Sequence, residues 1–177
     1  MEQVEIHIDS LIKQCLGNNT AAQFELYDRY SSAMYTIAVR MLGNNEDAQD
    51  ALQDAFVNAF QNLRKFDGRV TFGAWLRKIT INICLNKLRK SKLKWLELDF
   101  DIPDAEDKHI EIDPKKLHAA IEKLPSGCRT VFTLKAFEDY KHEEIAEALN
   151  ISLSTAKSQY VRAKKLLSLS LKNMVQL

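Results

Sequence analysis

From residue 20 to 42 the chain reads TAAQFELYDRYSSAMYTIAVRML, with apolar side chains returning every three or four positions. That period places Phe24, Tyr27, Ala33, Met34, Ile37, Ala38 and Met41 on one face of a helix, with a weak point at Ser31–Ser32 where it can break. Gly43-Asn44-Asn45 then interrupts the pattern. Asn44 or Asn45 suits the cap of a second helix, because its side-chain oxygen can accept from the first free backbone N–H groups. Glu46 and Asp47 follow in the first turn, where the helix end is positive. This second helix is predicted to run to about Leu63, with Ala48, Leu52, Ala55, Phe56, Ala59 and Phe60 inward. RKFDGRVT, residues 64–71, holds Asp-Gly and reads as a loop. A third helix is predicted from Phe72 to about Lys90 on the stripe Phe72, Leu76, Ile79 and Ile83.

The periodicity fades over LELDFDIPDAEDKHIEID, residues 96–113, which is acidic and contains a proline. Such a segment cannot bury enough apolar surface to order itself and is expected to be a flexible linker. Asp113-Pro114 restarts helical structure as a cap followed by proline at the first helical position. Helices are predicted at 114–123, about 126–138 and 142–149, and a fourth from Ser152. The expected fold is therefore all-α. Two small helical domains, residues 10–95 and 114–177, are joined by the flexible acidic linker 96–113. Scarce glycine (5) and proline (3) in 177 residues agree with long helices rather than many tight turns.

Charge changes the picture more than composition does. The net charge is only +1, but residues 61–95 carry 10 basic side chains and one acid, Asp67. Residues 152–177 carry 5 basic side chains and no acid, while residues 1–60 and 96–113 are strongly acidic. Two basic blocks separated by an acidic one are informative, since a bland solvated surface would mix its signs more evenly.

The second basic block lies in LNISLSTAKSQYVRAKKLL, residues 149–167. Asn150 stands where a left-handed turn is wanted, and Ser152 is a helix cap. Ala156, Tyr160, Ala163 and Leu167 form an inward stripe; Lys157, Ser158, Val161, Arg162 and Lys165 lie opposite. A short helix, a tight turn and a second helix with a basic outer face favour a helix-turn-helix over a plain helical hairpin. The first block interleaves cations with Phe66, Phe72, Trp75 and Trp95. Aromatic rings beside cations suit single-stranded bases, at about 1–3 kcal/mol per stacked base. Phe66, in the loop, is the better stacking candidate, Phe72 reads as core, and Trp75 is open between the two. Asp47, Asp50 and Asp54 share one edge of the second helix. A metal site is the sharper reading, but no histidine accompanies these acids and carboxylates on a helix are usually solvated, so a protein-docking face is favoured.

In this order the pieces resemble the extracytoplasmic-function (ECF) group of bacterial RNA polymerase sigma factors, over nearly the whole chain. GNNEDAQDALQDAFVNAFQNL is similar to the family's polymerase-docking helix, FDGRVTFGAWLRKITINICLNKLRK to its minus-10 loop and helix, and LPSGCRTVFTLKAFEDYKHEEIAEALNISLSTAKSQYVRAKKLL to its minus-35 domain. The resemblance implies that Asp47, Asp50, Gln53 and Asp54 face the polymerase. It implies that Phe66, Asp67, Gly68, Arg69, Val70 and Thr71 hold a flipped minus-10 base, helped by Arg77, Lys78 and Asn82. It places Ser154, Thr155, Lys157, Ser158, Val161, Arg162 and Lys165 at the minus-35 element. The implied partners are core RNA polymerase, through its β′ clamp helices and β flap, and promoter DNA. An anti-sigma protein is a further candidate partner. Asn86 replaces an Asp common in the family, Asn150 a Gly, Asp139 a Gly, and Lys141 a Ser or Thr cap.

Other functions fit less well. His7, His109, His118 and His142 form no ligand pair at helical spacing, and no GxSxG, Walker or HExxH pattern occurs. Neither an enzyme nor a metal or cofactor is expected. An autonomous regulator with a sensor domain has no need of the first basic block, and a protein adaptor would leave both blocks idle. MEQVEIHIDS has no basic start or apolar run, no segment approaches the ~20 apolar residues of a membrane span, and the three cysteines form no CxxC pair. A cytoplasmic protein without membrane insertion is expected.

Overall fold

The computed structural model describes residues 2–90 and 113–175. Trp95, His109 and all of the expected linker except Asp113 lie outside the described residues. Among the described residues there are helices and no strands: α1 (Glu2–Leu16), α2 (Thr20–Leu42), α3 (Asn45–Gln61), α4 (Phe72–Lys90), α5 (Pro114–Glu122), α6 (Ser126–Ala136), α7 (His142–Leu149) and α8 (Leu153–Val175). A short 3₁₀ turn, Leu63–Lys65, follows α3. Two compact units are present; one takes residues up to 39 and 44–87, and α5 to α8 belong to the other. None of the described helices is long and apolar enough to cross a membrane.

In the first unit α1 is a helix that the sequence pattern had not singled out. Its Ile8, Leu11, Ile12 and Cys15 are buried, at the spacing of one helical face. Asn18 takes a left-handed conformation (φ 60°) and ends α1. The Asn19 N–H then donates to Gln14 O at 3.1 Å and the Asn18 N–H to Cys15 O at 3.0 Å, satisfying carbonyls that a helix end leaves free. Asn19 also starts α2, its Oδ1 accepting from the N–H groups of Ala21 (3.0 Å) and Ala22 (3.2 Å).

α2 is continuous through Ser31–Ser32, so the expected break is absent. Its buried face is Ala22, Leu26, Met34, Ile37 and Ala38, whereas Phe24 is 70% exposed, and Tyr27 and Ala33 are exposed as well. The face predicted for the first half of α2 was thus rotated, because period alone could not choose between Phe24 and Leu26 as the inward residue. α3 begins as expected: Asn44 Oδ1 accepts from the Asp47 N–H at 2.7 Å. Ala48, Ala51, Leu52, Ala55, Phe56 and Ala59 are buried along it. The four alanines allow neighbouring backbones to approach closely. α4 buries Phe72, Leu76, Thr80, Cys84 and Leu85, while Ile79 and Ile83, expected inside, are only half-buried. Thr80 tolerates burial because its hydroxyl donates to Leu76 O at 3.0 Å.

In the second unit α8 is the central element, packed by α5, α6 and α7. Ala120, Ile121, Leu124, Cys128, Ala163, Leu167 and Leu171 form its core. Each fully buried Ile or Leu contributes about 1.5–3 kcal/mol relative to exposure. Asp113 caps α5, accepting from the Lys115 N–H at 2.9 Å with Pro114 next. Arg129 of α6 closes the other end of α5, donating to Glu122 O (3.1 Å) and Leu124 O (3.0 Å). Gln159 is buried on α8, but its Oε1 accepts from Cys128 Sγ at 2.9 Å. Tyr160, expected in the core stripe, is half-buried between Phe132 of α6 (ring centroids 5.9 Å apart) and His142 of α7 (5.4 Å).

Candidate nucleic-acid interface and docking edge

The turn between α7 and α8 is built from backbone geometry. Asn150 is left-handed (φ 54°, ψ 49°). Its N–H donates to Glu147 O (3.1 Å) and that of Ile151 to Ala146 O (3.0 Å), the paired bonds of a Schellman ending. Two residues later Ser152 Oγ accepts from the Thr155 N–H at 3.0 Å and starts α8. α7 begins at His142 although Lys141 has no acceptor to offer as a cap; instead the Lys141 N–H donates to Glu144 Oε2 at 2.7 Å. Asp139, where a glycine had been expected, has φ 57°. Aspartate is one of the few side chains that tolerates this region.

This geometry fixes how α8 is presented. Ser154, Lys157, Ser158 and Val161 are exposed, Val161 to 52% despite being apolar. Thr155, Arg162 and Lys165 are half-buried on the flanks. Arg162 lies toward the core side, where its charge opposes the burial that pushes the Cys128 thiol up.

In the first unit the loop before α4 is tightly organised. Asp67 Oδ1 accepts from the Arg69 N–H (3.0 Å), and Asp67 Oδ2 accepts from Arg69 Nε (2.5 Å) across Gly68, whose φ is 73°. The Arg69 guanidinium holds the Asp67 carboxyl below its usual range, although both side chains are solvated. Thr71 Oγ1 accepts from the Ala74 N–H at 3.3 Å and caps α4. Phe66 is half-buried, its ring 5.3 Å from Trp75 and 5.9 Å from Phe72. Trp75 therefore belongs to the aromatic cluster and is also half-buried. Tyr30 of α2 joins at 5.3 Å from Phe72, and Gly73 makes room: a Cβ there would lie 2.9 Å from the Tyr30 ring. Asp67, Gly68, Arg69, Val70 and Thr71 are exposed around this cluster, Val70 to 53%. Lys78 and Asn82 are exposed one turn apart on α4, continuing the edge that Trp75 begins. Arg77 is exposed on a different edge.

α3 presents two contrasting flanks. Asp47, Asp50, Gln53 and Asp54 are all exposed. Asp47 also closes its own cap, accepting from Asn44 Nδ2 at 2.5 Å. On the α2 side, Tyr27, Ser31, Tyr35, Gln49, Gln53 and Val57 line much of a groove of about 780 Å³. The groove and the outward Phe24 escaped the sequence reading, because the exposure of aromatic and aliphatic residues depends on how α2 meets α3.

Two family models match the chain: Sigma-70 region 2 over residues 26–93 and Sigma-70, region 4 over residues 115–167. RNA polymerase sigma factor SigV of Bacillus subtilis is 30% identical over 141 residues, covering 77% of this chain and 83% of SigV. The chain belongs to the RNA polymerase sigma factors of the ECF group. ECF RNA polymerase sigma factor SigW of Bacillus subtilis is 29% identical over 188 residues, covering 97% of this sigma factor and all of SigW. A solved structure of the sigma factor RpoE with the anti-sigma factor NepR from Bartonella quintana is similar in fold, with a TM-score of 0.51 and 20% identity, over 84% of this chain and 95% of that one. The loop, its aromatic cluster and α3 lie in the region 2 match of this sigma factor, and α7 with most of α8 in the region 4 match. Its relatives are factors of transcription initiation rather than catalysts.

Proposed function

We propose that this sigma factor binds core RNA polymerase, directs it to promoters with two separate DNA contacts, and helps melt the duplex. The observation that carries the reading is the pair of outward basic surfaces, each on its own compact unit: the loop 66–71 with Lys78 and Asn82, and the α8 face with Lys157, Ser158 and Val161. The domain limits 10–95 and 114–177 are the working boundaries, and the cytoplasm, where the polymerase acts, is the proposed location.

At the minus-35 element α8 enters the major groove. Its capped N-terminus and Ser154 and Thr155 approach phosphates, Lys157 and Lys165 hold the backbone, and Ser158 and Val161 meet base edges, with Arg162 on the flank of that face. Val161 is an exposed aliphatic side chain suited to a thymine methyl group. At the minus-10 element a flipped base sits in the loop. Unstacking costs a few kcal/mol, and stacking returns about 1–3 kcal/mol per base. Phe66 serves as a ring braced from behind by Phe72 and Trp75, while Asp67, Arg69 and Val70 supply polar and apolar contacts at the rim. Arg77, Lys78 and Asn82 serve the adjoining backbone or duplex edge.

The acidic edge of α3, with Gln53 and the neighbouring groove, docks the polymerase, the clamp helices of β′ being the element that the family resemblance implies. The β flap is the proposed partner of the second unit. A similar fold, that of the sigma factor RpoE, has been solved with an anti-sigma factor, and a protein of that class is the proposed restraint on this chain.

Footprinting tests the reading. Chain and core polymerase together should protect two separated promoter blocks that neither protects alone. Protection of a palindrome by the chain alone, as a dimer, would overturn it in favour of an autonomous regulator.

A further inference from the structure

By sequence Lys87 belongs to the basic block that supplies the proposed minus-10 contacts. In space its ammonium is turned the other way, 3.7 Å from Asp50 Oδ2 and 4.0 Å from Asp54 Oδ2 on α3. The lysine side chain is 28% exposed, against 69% and 63% for the two carboxylates. The cation thus approaches from the sheltered side, and the outer faces of both acids remain in solvent. Asp50 and Asp54 stand one helical turn apart, where like charges repel, and an ammonium shared between them offsets that repulsion. A carboxylate has about four lone-pair sites, so Lys87 leaves room on each acid for a second cation. The same ammonium acts on buried Cys84, one turn earlier on α4, where it opposes the rise caused by burial.

We propose that Lys87 is a positioning residue of the docking edge: it holds Asp50 and Asp54 in a fixed spread for cationic groups of a protein partner and is not a DNA contact. The proposal rests on the reading of α3 as the polymerase-docking helix. It also ties that helix to α4, so that one side chain links the polymerase face to the helix of the minus-10 site.

The test uses the full chain, purified core polymerase and the variants Lys87→Met, Lys87→Gln and Lys87→Arg, each also in an Asp50→Asn/Asp54→Asn background. Met keeps the aliphatic stem and Gln a polar end, so agreement between them separates charge from packing. Affinity for core is read by anisotropy of labelled chain near physiological salt. Binding of the assembled holoenzyme to a pre-melted minus-10 DNA is read against salt concentration. Met and Gln should weaken core binding about two- to fivefold, the range of a solvated ion pair. Arg should restore it, and neither loss should appear once Asp50 and Asp54 are amides. The salt slope for DNA should not move. Unchanged or tighter core binding by Met and Gln, with the double Asn variant still weakened, overturns the role of Lys87 and leaves the docking reading intact. A fall of about one in the DNA salt slope makes Lys87 a phosphate contact and overturns it too. A double Asn variant that binds core normally overturns the docking reading itself.

Discussion

Asp67 is the one acid of the first basic block, and it is joined to Arg69 two residues on. The bonds from Arg69 lower its pKa in the folded chain. A depressed carboxyl stabilises the loop above the unfolded value, and that contribution is lost as pH falls through the folded value. NMR titration should find Asp67 ionising below an ordinary aspartate, and Arg69→Ala should return it to the ordinary range. An ordinary value in the unaltered chain would mean that the pair does not persist in solution. Burial acts in the opposite sense on Cys84, pushing its thiol up to about 12, while Cys15 and Cys128 are also raised. All three should resist a thiol reagent near neutral pH and react once denaturant exposes them; fast native reaction of any one would contradict its burial. Single residues were unevenly legible in the sequence. Asp47 as an exposed first-turn acid and Phe72 as core follow from local pattern. The sheltered position of Lys87 does not, because it depends on where α3 and α4 cross. Arg162, expected to face outward, is half-buried because it flanks the packed stripe rather than lying opposite it.

At the scale of elements, starts and stops were the most legible features. Asn44, Asp113-Pro114, Asn150 and Ser152 all act through bonds to backbone groups within a few residues, so short sequence suffices to recognise them. α1 was overlooked although Ile8, Leu11, Ile12 and Cys15 carry the period, and the inner face of α2 depends on packing that no local pattern specifies. The turn of the helix-turn-helix can be tested directly. Asn150→Gly should be neutral or mildly stabilising, because glycine takes the left-handed conformation freely. Asn150→Val should cost at least ~1–2 kcal/mol, the penalty of a Cβ in that region and more for a branched one. Ser152→Ala should cost about 1 kcal/mol through loss of the cap. Hydrogen exchange at the amides of α7 and α8 reads these changes in the right unit. Equal protection in Asn150→Val and the unaltered chain would show that the turn is not held as described.

For the whole molecule, the loop 66–71 with Lys78 and Asn82, and the outward face of α8, belong to different compact units. One helix with few outward cations gives weak DNA binding alone, since affinity follows the number of phosphates neutralised. Specificity then needs both units held by one larger partner, which is the role proposed for the polymerase. Within that assembly Phe66→Ala should slow opening of a duplex promoter and affect a pre-melted one much less, as measured by a fluorescent reporter of strand separation. Equal loss on both would make Phe66 a general packing residue. Val161→Ala should lose affinity chiefly for promoters with thymine at one minus-35 position, by about 1 kcal/mol or more. Uniform loss across sequences would remove it from base reading. The most direct test of the central claim is run-off transcription with purified core polymerase on a pool of bacterial promoter fragments. Adding the chain should raise specific transcripts from a subset of promoters that core alone ignores, with the Lys157, Val161 and Phe66 variants reducing that signal; core that gains no promoter-dependent transcripts from the chain would contradict it.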